Sequence, residues 1–398
     1  MKRSVVALVR CESYNPGDVN SAVERGFSLL GGVSQFLDKG KKKVLLKPNV
    51  LWGVDPKNCV TTHPSVFKAV ASIFLSAGAQ VWYGDSPAGI TGVSSSLKKA
   101  GLSDVAQEMG VQQADFENGR SVTFNEGIAG KKLFIANAVF DCDTFVSLSK
   151  LKTHGLTRIT GAIKNQYGCV PGMVKGEYHA RFPDVYDFAN LLADITRFVS
   201  PKLFIMDAVY AMEGNGPQSG TPKKCGLLLF STDPVALDTV ACRIVDLDPG
   251  FVPTIDSGVR AGLGTSDISA IDIVGEQIEQ YICKDFDVVR RPPVRIPRSR
   301  LFLEIRNHFT ARPAANASKC IRCGRCVEAC PVDPKAVELP KNASRPRYNY
   351  RRCIRCFCCQ EVCPAKAIAV HDGILKKLFP FASFLSLMLT TYYSKRRK

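Results

Sequence analysis

Two runs of cysteine dominate the chemistry open to this chain. They read Cys320-x2-Cys323-x2-Cys326-x3-Cys330-Pro331 and Cys353-x2-Cys356-x2-Cys359-x3-Cys363-Pro364. A cubane iron–sulfur centre needs four thiolates pointing inward. Two-residue gaps let one tight loop supply three, and the fourth, just before the proline, reaches across to the other centre. The spacing therefore predicts two [4Fe–4S] clusters. Cys320, Cys323, Cys326 and Cys363 are expected on one, and Cys353, Cys356, Cys359 and Cys330 on the other. A zinc site takes four cysteines in pairs. A disulfide knot implies an oxidising compartment, which nothing else in the sequence suggests. Cys358, beside Cys359, reads as a spectator thiol, with alternative ligation left open.

A second set of reactive residues lies upstream. Lys150-x-Lys152-x-His154 follows an apolar run, and Lys164 and Asn165 come ten residues later, then Lys175 and His179 in a glycine-rich stretch. Clustered lysines attract carboxylate, phosphate or a charged cofactor. A lysine desolvated among other cations loses basicity and becomes an acid, base or nucleophile. Lys152, His154 and Lys164 are the expected catalytic residues. Lys47, Asn49, Asp85, Asn165, Glu213 and Asn215 are expected to bind substrate or cofactor. Glu213 opens a glycine-rich loop whose amides can approach a phosphate, but it lacks P-loop and dinucleotide spacing. Asp207 and Glu213 are candidates for holding a cation or moving a proton. His63, before Pro64, reads as a capping or packing residue, Asp233 as a helix N-cap, and Cys169 as a buried spectator thiol.

These residues need strands and helices to position them. Residues 1–289 alternate short apolar runs with amphipathic ones. Strands are expected at 4–9, 43–46, 79–83, 144–148, 203–206, 226–230 and 271–274, and helices at 20–37, 64–77, 94–109, 186–198 and 233–245. Such alternation predicts an α/β domain with a mostly parallel sheet and flanking helices. The polar motifs fall at strand ends, where ligands of open α/β sheets bind.

Both halves carry resemblances. The paired cysteine runs resemble the two-cluster ferredoxin family, which implies an α+β ferredoxin-like module over 316–372. Lys47-Pro48-Asn49, Thr62-His63-Pro64, Gly84-Asp85-Ser86-Pro87, Lys150–His154, Thr160–Asn165, Glu213–Pro217 and Ser231–Pro234 together resemble the family called domain of unknown function 362, over about residues 4–275. Members of that family often carry a two-cluster ferredoxin module after the domain. The resemblance implies the architecture and no particular reaction.

The chain has 398 residues and 45% hydrophobic composition, ample for two or three domains. Its net charge of +17 is concentrated. Residues 1–289 sum to −1 and residues 290–398 to +18. Residues 290–315 read as a basic connector, with a short helix over 301–309. Residues 373–398 read as a basic, apolar tail, suited to an anionic membrane surface but short for a spanning helix. The expected partners are an acidic electron carrier of ferredoxin or flavodoxin type and an anionic small-molecule substrate. Nucleic acid suits the pattern poorly. Scattered cysteines outside the two runs show no pairing pattern and fit a reducing cytoplasm, with a peripheral place on the inner membrane face through the tail. An additional organic cofactor stays open, without a flavin motif. These expectations converge on an iron–sulfur oxidoreductase. The alternative is a non-catalytic electron-transfer or assembly subunit whose α/β domain binds a partner.

Overall fold

The computed structural model describes residues 3–38, 40, 42–88, 92–293 and 310–372. The expected helix at 301–309 and the tail at 373–398 lie outside the described residues.

The chain first builds a nine-stranded sheet from β1 (Ser4–Arg10), β2 (Lys43–Pro48), β3 (Gln80–Tyr83), β4 (Gln112–Gln113), β7 (Thr144–His154), β8 (Arg158–Thr160), β9 (Leu203–Glu213), β10 (Thr221–Ser231) and β11 (Ile271–Gly275). Their order is β11-β1-β10-β9-β7-β2-β3-β4, with β8 folded back on the end of β7. A separate hairpin joins β5 (Gly119–Thr123) and β6 (Lys132–Ala136). Pairings of β1 with β11, β2 with β3 and β7, β3 with β4, and β7 with β9 are parallel. Those of β10 with β1 and β9, and of β8 with β7, are antiparallel. The sheet is thus mostly parallel, as expected.

Period-two alternation sends side chains to two cores. Val6 and Leu8 of β1 pack under α7 (Val185–Val199), α8 (Pro234–Ile244) and α9 (Pro253–Arg260). Ala7 and Val9 pack under α1 (Pro16–Leu29) and α2 (Pro64–Ser76). Asp233 caps α8 as expected, accepting from the Val235 and Ala236 amides at 2.8 Å each.

Two helices differ from the sequence reading, and glycine explains both. The helix expected over 20–37 stops at Leu29, because Gly31 and Gly32 take φ of 88° and 91°. The helix expected over 94–109 is two, α3 (Val93–Lys99) and α4 (Leu102–Glu108), broken at Gly101 with φ 72°. The strand expected at 144–148 continues to His154 with every residue buried. The two strands expected at 203–206 and 226–230 lengthen into one antiparallel hairpin.

The C-terminal module pairs β12 (Arg312–Ala315) with β15 (Ile368–His371), and β13 (Val337–Glu338) with β14 (Arg347–Tyr348). Arg312–Ala315 therefore corrects the expected connector, since these residues belong to the module. The start of the connector is tied down too. Arg290 donates to the Asp246 carbonyl and Arg291 pairs with Asp372. Short helices α10 (Arg325–Glu328) and α11 (Cys358–Glu361) follow the paired cysteines of each half. The halves repeat in backbone as well as sequence. Arg322 and Arg355 have φ of 54° and 64°, and Gly324 and Phe357 have φ of 78° and 65°. A phenylalanine in this region costs about 1–2 kcal/mol. Its ring is buried against Gly155 of the α/β domain, where an added Cβ would meet it at 3.5 Å. That packing offsets the strain.

The module is docked on the loop of the β9–β10 hairpin. Gln360 Nε2 donates to Asn215 O at 3.0 Å, Asn215 Oδ1 at 3.1 Å and Gly216 O at 3.0 Å. Asn215 Nδ2 donates to Ile368 O at 3.1 Å, and Arg325 lies over the Trp52 ring at 5.1 Å. Gln360→Ala leaves those carbonyls without their donor at a buried seam. It is expected to lower stability by about 1–3 kcal/mol in denaturant unfolding while the iron content of the purified protein stays unchanged; an unaltered stability would remove Gln360 from the docking.

Candidate functional site

Lysine placement organises the cleft at the carboxyl ends of the parallel strands. Lys47, at the end of β2, is fully buried and lies 2.8 Å from Asp85 Oδ1. Asp85 Oδ2 accepts the Val50 amide at 2.6 Å. Gly168 packs on this pair so closely that a Cβ would stand 1.8 Å from Asp85 Oδ1. Lys150 of β7 pairs with Asp207 at 2.9 Å, and the Tyr14 hydroxyl joins them. His63 stacks on Tyr14 at 3.6 Å and accepts the Ser65 amide, the capping and packing role expected of it.

Three further lysines have no carboxylate of their own among the described residues. Lys152 Nζ donates only to the Val60 carbonyl, at 2.6 Å. Lys164 lies 5.8 Å from the Tyr167 ring, and Lys175 Nζ is buried without a hydrogen-bond partner. All three line one cavity of about 110 Å³, with Asn49, Asp85, Asn165 and His179 from the same domain. The opposite wall is the C-terminal module, through Ala329, Cys358, Glu361 and Val362.

Local structure explains these positions. Lys152 is carried by the long strand β7. Lys164 and Asn165 ride on α5 (Ala162–Asn165), whose first amides, Ala162 and Ile163, donate to the Asp238 carboxylate at 2.6 and 3.2 Å. Gly161 makes room for that cap, since a Cβ there would stand 2.1 Å from Asp238 Oδ1. Asn165 accepts from Asn49 Nδ2 at 3.0 Å and donates to Ser147 Oγ at 2.8 Å. Lys175 and His179 come from α6 (Val174–Arg181), with His179 stacked on Phe188 at 4.3 Å.

Burial sets the proton affinities here. It pulls Lys152 well below the ordinary lysine value, helped by Lys164 and Lys150. It lowers Lys164, against the pull of Glu361. It brings Lys175 to about 7, with Asp85 opposing and Lys47 assisting. Burial also lowers His154 to about 4 and His179 to about 3. The geometry agrees for His154. Its Nδ1 accepts the Leu156 and Thr157 amides at 3.0 and 3.3 Å, so it carries no proton. Nε2 lies 2.9 Å from Glu361 Oε1, with its N–H out of line for a good hydrogen bond. Burial favours protonation of Glu361, but His154 and Lys164 outweigh it and hold that carboxyl below the usual range.

The cysteines fit the chemistry expected of them. Cys320, Cys323, Cys326 and Cys363 line one small pocket with Ile321, Ala367 and Ile368. Cys353, Cys356 and Cys359 lie close enough to act on one another electrostatically. The two crossing cysteines receive matching donors: the Ala336 amide reaches Cys330 Sγ and the Ala367 amide reaches Cys363 Sγ, both at 3.3 Å. Cys323 is exposed, whereas Cys326, Cys353, Cys359 and Cys363 are buried. Cys358 lines the cavity and hydrogen-bonds the Cys356 sulfur.

Comparison with known proteins matches residues 44–243 to the domain of unknown function 362 and residues 312–364 to a 4Fe-4S dicluster domain. The chain belongs to the domain of unknown function 362 family. Its C-terminal module is an electron-transfer domain for two [4Fe–4S] clusters. A thylakoid-associated protein of Synechocystis is 35% identical over 261 residues, 65% of this chain and 79% of that one. Among solved structures, the lactate racemase apoprotein of Thermoanaerobacterium thermosaccharolyticum aligns with TM-score 0.39 and 12% identity, over 61% of this chain and 56% of that one. A Thermotoga maritima protein aligns with TM-score 0.34 and 14% identity, over 57% of each chain. The chain thus spans just over half of those two structures, and likenesses this distant carry no argument about activity. No helix among the described residues is long and apolar enough to cross a membrane.

Within this family domain, the structure brings together Lys152, Lys164, Asn49, Asp85 and Asn165 on the cavity wall. Lys47 and His154 stand one layer behind, acting through Asp85 and Glu361. Glu213 and Asn215 correct the sequence reading. Glu213 accepts the Asp287 amide at 3.0 Å and Asn215 seats the C-terminal module, so this loop serves docking rather than phosphate binding. Cys169 is fully buried, its thiol raised to about 12, as befits a spectator. Glu361 escaped the sequence reading. The one available signal was its position inside the cysteine repeat, equivalent to Glu328 in the first half.

An ammonium titrating near 7 in the fold and at 10.5 in the unfolded chain destabilises the fold most below about pH 7. Between those values the unfolded chain alone holds the proton, so the penalty shrinks as pH rises. Lys175→Met is expected to raise the thermal unfolding temperature at about pH 6 and to give much less at about pH 10; equal effects at both would contradict the burial of an unpaired charge.

Proposed function

We propose that the protein is an iron–sulfur oxidoreductase that exchanges single electrons with a small anion held in the cavity between its two domains. One observation carries this reading. Three lysines without carboxylate partners among the described residues face, across the same 110 Å³ space, the helix that carries Cys359 of the second ligand set. When bound, the clusters supply electrons one at a time, at potentials set by charge, hydrogen bonds and burial.

The chain's own residues do the rest. Lys152 and Lys164 attract and orient the anion, and Asn49 and Asn165 offer it amides. Lys175, near 7, is suited to give a proton at neutral pH. Glu361 and neutral His154 hold the opposite wall in place. The cavity falls well short of the roughly 300–1,000 Å³ of pockets for drug-sized ligands, which favours a compact oxyanion or short carboxylate over a flavin.

The surface around exposed Cys323 carries Lys319, Arg322, Lys341 and Arg345, all exposed, which suits docking by an acidic electron carrier. The thylakoid association of the Synechocystis relative, together with the basic tail in the sequence, supports a cytoplasmic protein peripheral to a membrane surface.

The test uses anaerobically reduced holoprotein mixed with nitrite, sulfite, carbonate, glyoxylate or pyruvate. Cluster absorbance follows reoxidation and thermal unfolding follows binding. At least one anion is expected to speed reoxidation about tenfold or more over buffer, with Lys164→Met abolishing the gain and keeping its iron. Neither reoxidation nor a shift in unfolding with any of them would sink the enzymatic reading and leave an electron-transfer subunit.

A further inference from the structure

The eight cysteines outside the cluster ligands are scattered in sequence, yet folding brings two of them together. Cys225 Sγ and Cys283 Sγ lie 4.0 Å apart. They come from the outer half of β10 and from the segment after β11. A bulge in β10 between Lys224 and Leu227, with Gly226 at φ 68°, takes Cys225 out of the regular ladder. The Cys283 amide donates to the Ile244 carbonyl at 2.7 Å, which fixes the other partner.

We propose that Cys225 and Cys283 form a thiol–disulfide exchange site, reacting with low-molecular-weight disulfides of the glutathione type. The two sulfurs differ in the way such a pair requires. Cys283 is partly exposed and Cys225 is buried. Contact with Cys225 draws the Cys283 thiol down to about 7, assisted by nearby Lys223, whereas Cys225 is raised far above the usual thiol range. Thiolate character and access together select the attacking sulfur.

The steps balance. The Cys283 thiolate attacks one sulfur of the small disulfide and expels one thiolate, which leaves a mixed disulfide on Cys283. Cys225 then attacks the Cys283 sulfur, its proton passes to the solvent, and a second thiolate leaves. The protein dithiol has lost two electrons and two protons, and the small disulfide has become two thiols.

The bond closes at a meaningful place. Cys283 and Asp287 belong to one short segment, and Gly214 N donates to Asp287 O at 2.8 Å while Asp287 N donates to Glu213 at 3.0 Å. That segment therefore braces the root of the loop on which Gln360 is seated. A Cys225–Cys283 bond fastens the brace to β10.

The experiment treats anaerobic holoprotein with oxidised glutathione, checks that cluster absorbance is retained, alkylates free thiols and maps peptides. Wild type is expected to yield a Cys225–Cys283 linked peptide. Cys225→Ser should trap glutathione on Cys283, and Cys283→Ser should leave Cys225 free. Full alkylation of both cysteines in wild type, together with no adduct in Cys225→Ser, would overturn the proposal. So would an adduct on Cys225 in Cys283→Ser, because it reverses the order of attack.

Discussion

Holding lysine ammonium groups out of water without carboxylates is the constraint to which the rest of this structure answers. Removing an ion from water costs several kcal/mol even after relaxation. Lys47 and Lys150 recover that cost through Asp85 and Asp207. Lys152, Lys164 and Lys175 do not, and they converge on one cavity. Their depressed proton affinities are the direct result. A fold selected for stability alone would place methionine or leucine at such positions. Their retention side by side makes sense if an anion, or negative charge developing during electron transfer, completes the site.

The second half of the constraint is the lid. A bound cluster with four thiolates adds local negative charge, and arguments about its surroundings must include it. The module that bears the ligands is not merely tethered. Gln360, Asn215, Glu361 with His154, and Arg325 over Trp52 seat it so that Cys358, beside Cys359 of the second set, lines the lysine cavity while Cys323 of the first set is exposed. Phe357 accepts a left-handed backbone to fill the contact, where the first half of the repeat has Gly324. Position within the repeat, rather than ligand type, separates an inner from an outer end.

Much of this was legible in the sequence, for physical reasons. Cysteine spacing is dictated by the cubane, so the eight candidate ligands could be picked out directly, and the fold gathers Cys320, Cys323, Cys326 and Cys363 around one pocket. Apolar alternation located the strands, and Pro64 and Asp233 marked helix starts. What was lost has a common cause. Lys150, Lys152 and His154 look like a strand's end because polar residues rarely continue a buried strand, yet β7 runs through all three. The loop from Glu213 reads as a phosphate loop by its glycines, while its acceptors are used by Gln360, more than a hundred residues away in the chain. The Cys225–Cys283 contact is a product of tertiary packing that no local pattern announces, and the repeat marks the position of Glu361 but not its meeting with His154.

The account stands on electrostatic contact between the cavity lysines and one of the two clusters. Potentiometric titration of the holoprotein, followed by electron paramagnetic resonance, tests it directly in wild type and Lys164→Met. Removing a cation beside a cluster makes reduction harder, so one midpoint should fall while the other stays in place. Two unchanged midpoints, or equal shifts of both, would contradict the juxtaposition of the second cluster and the lysine-lined cavity.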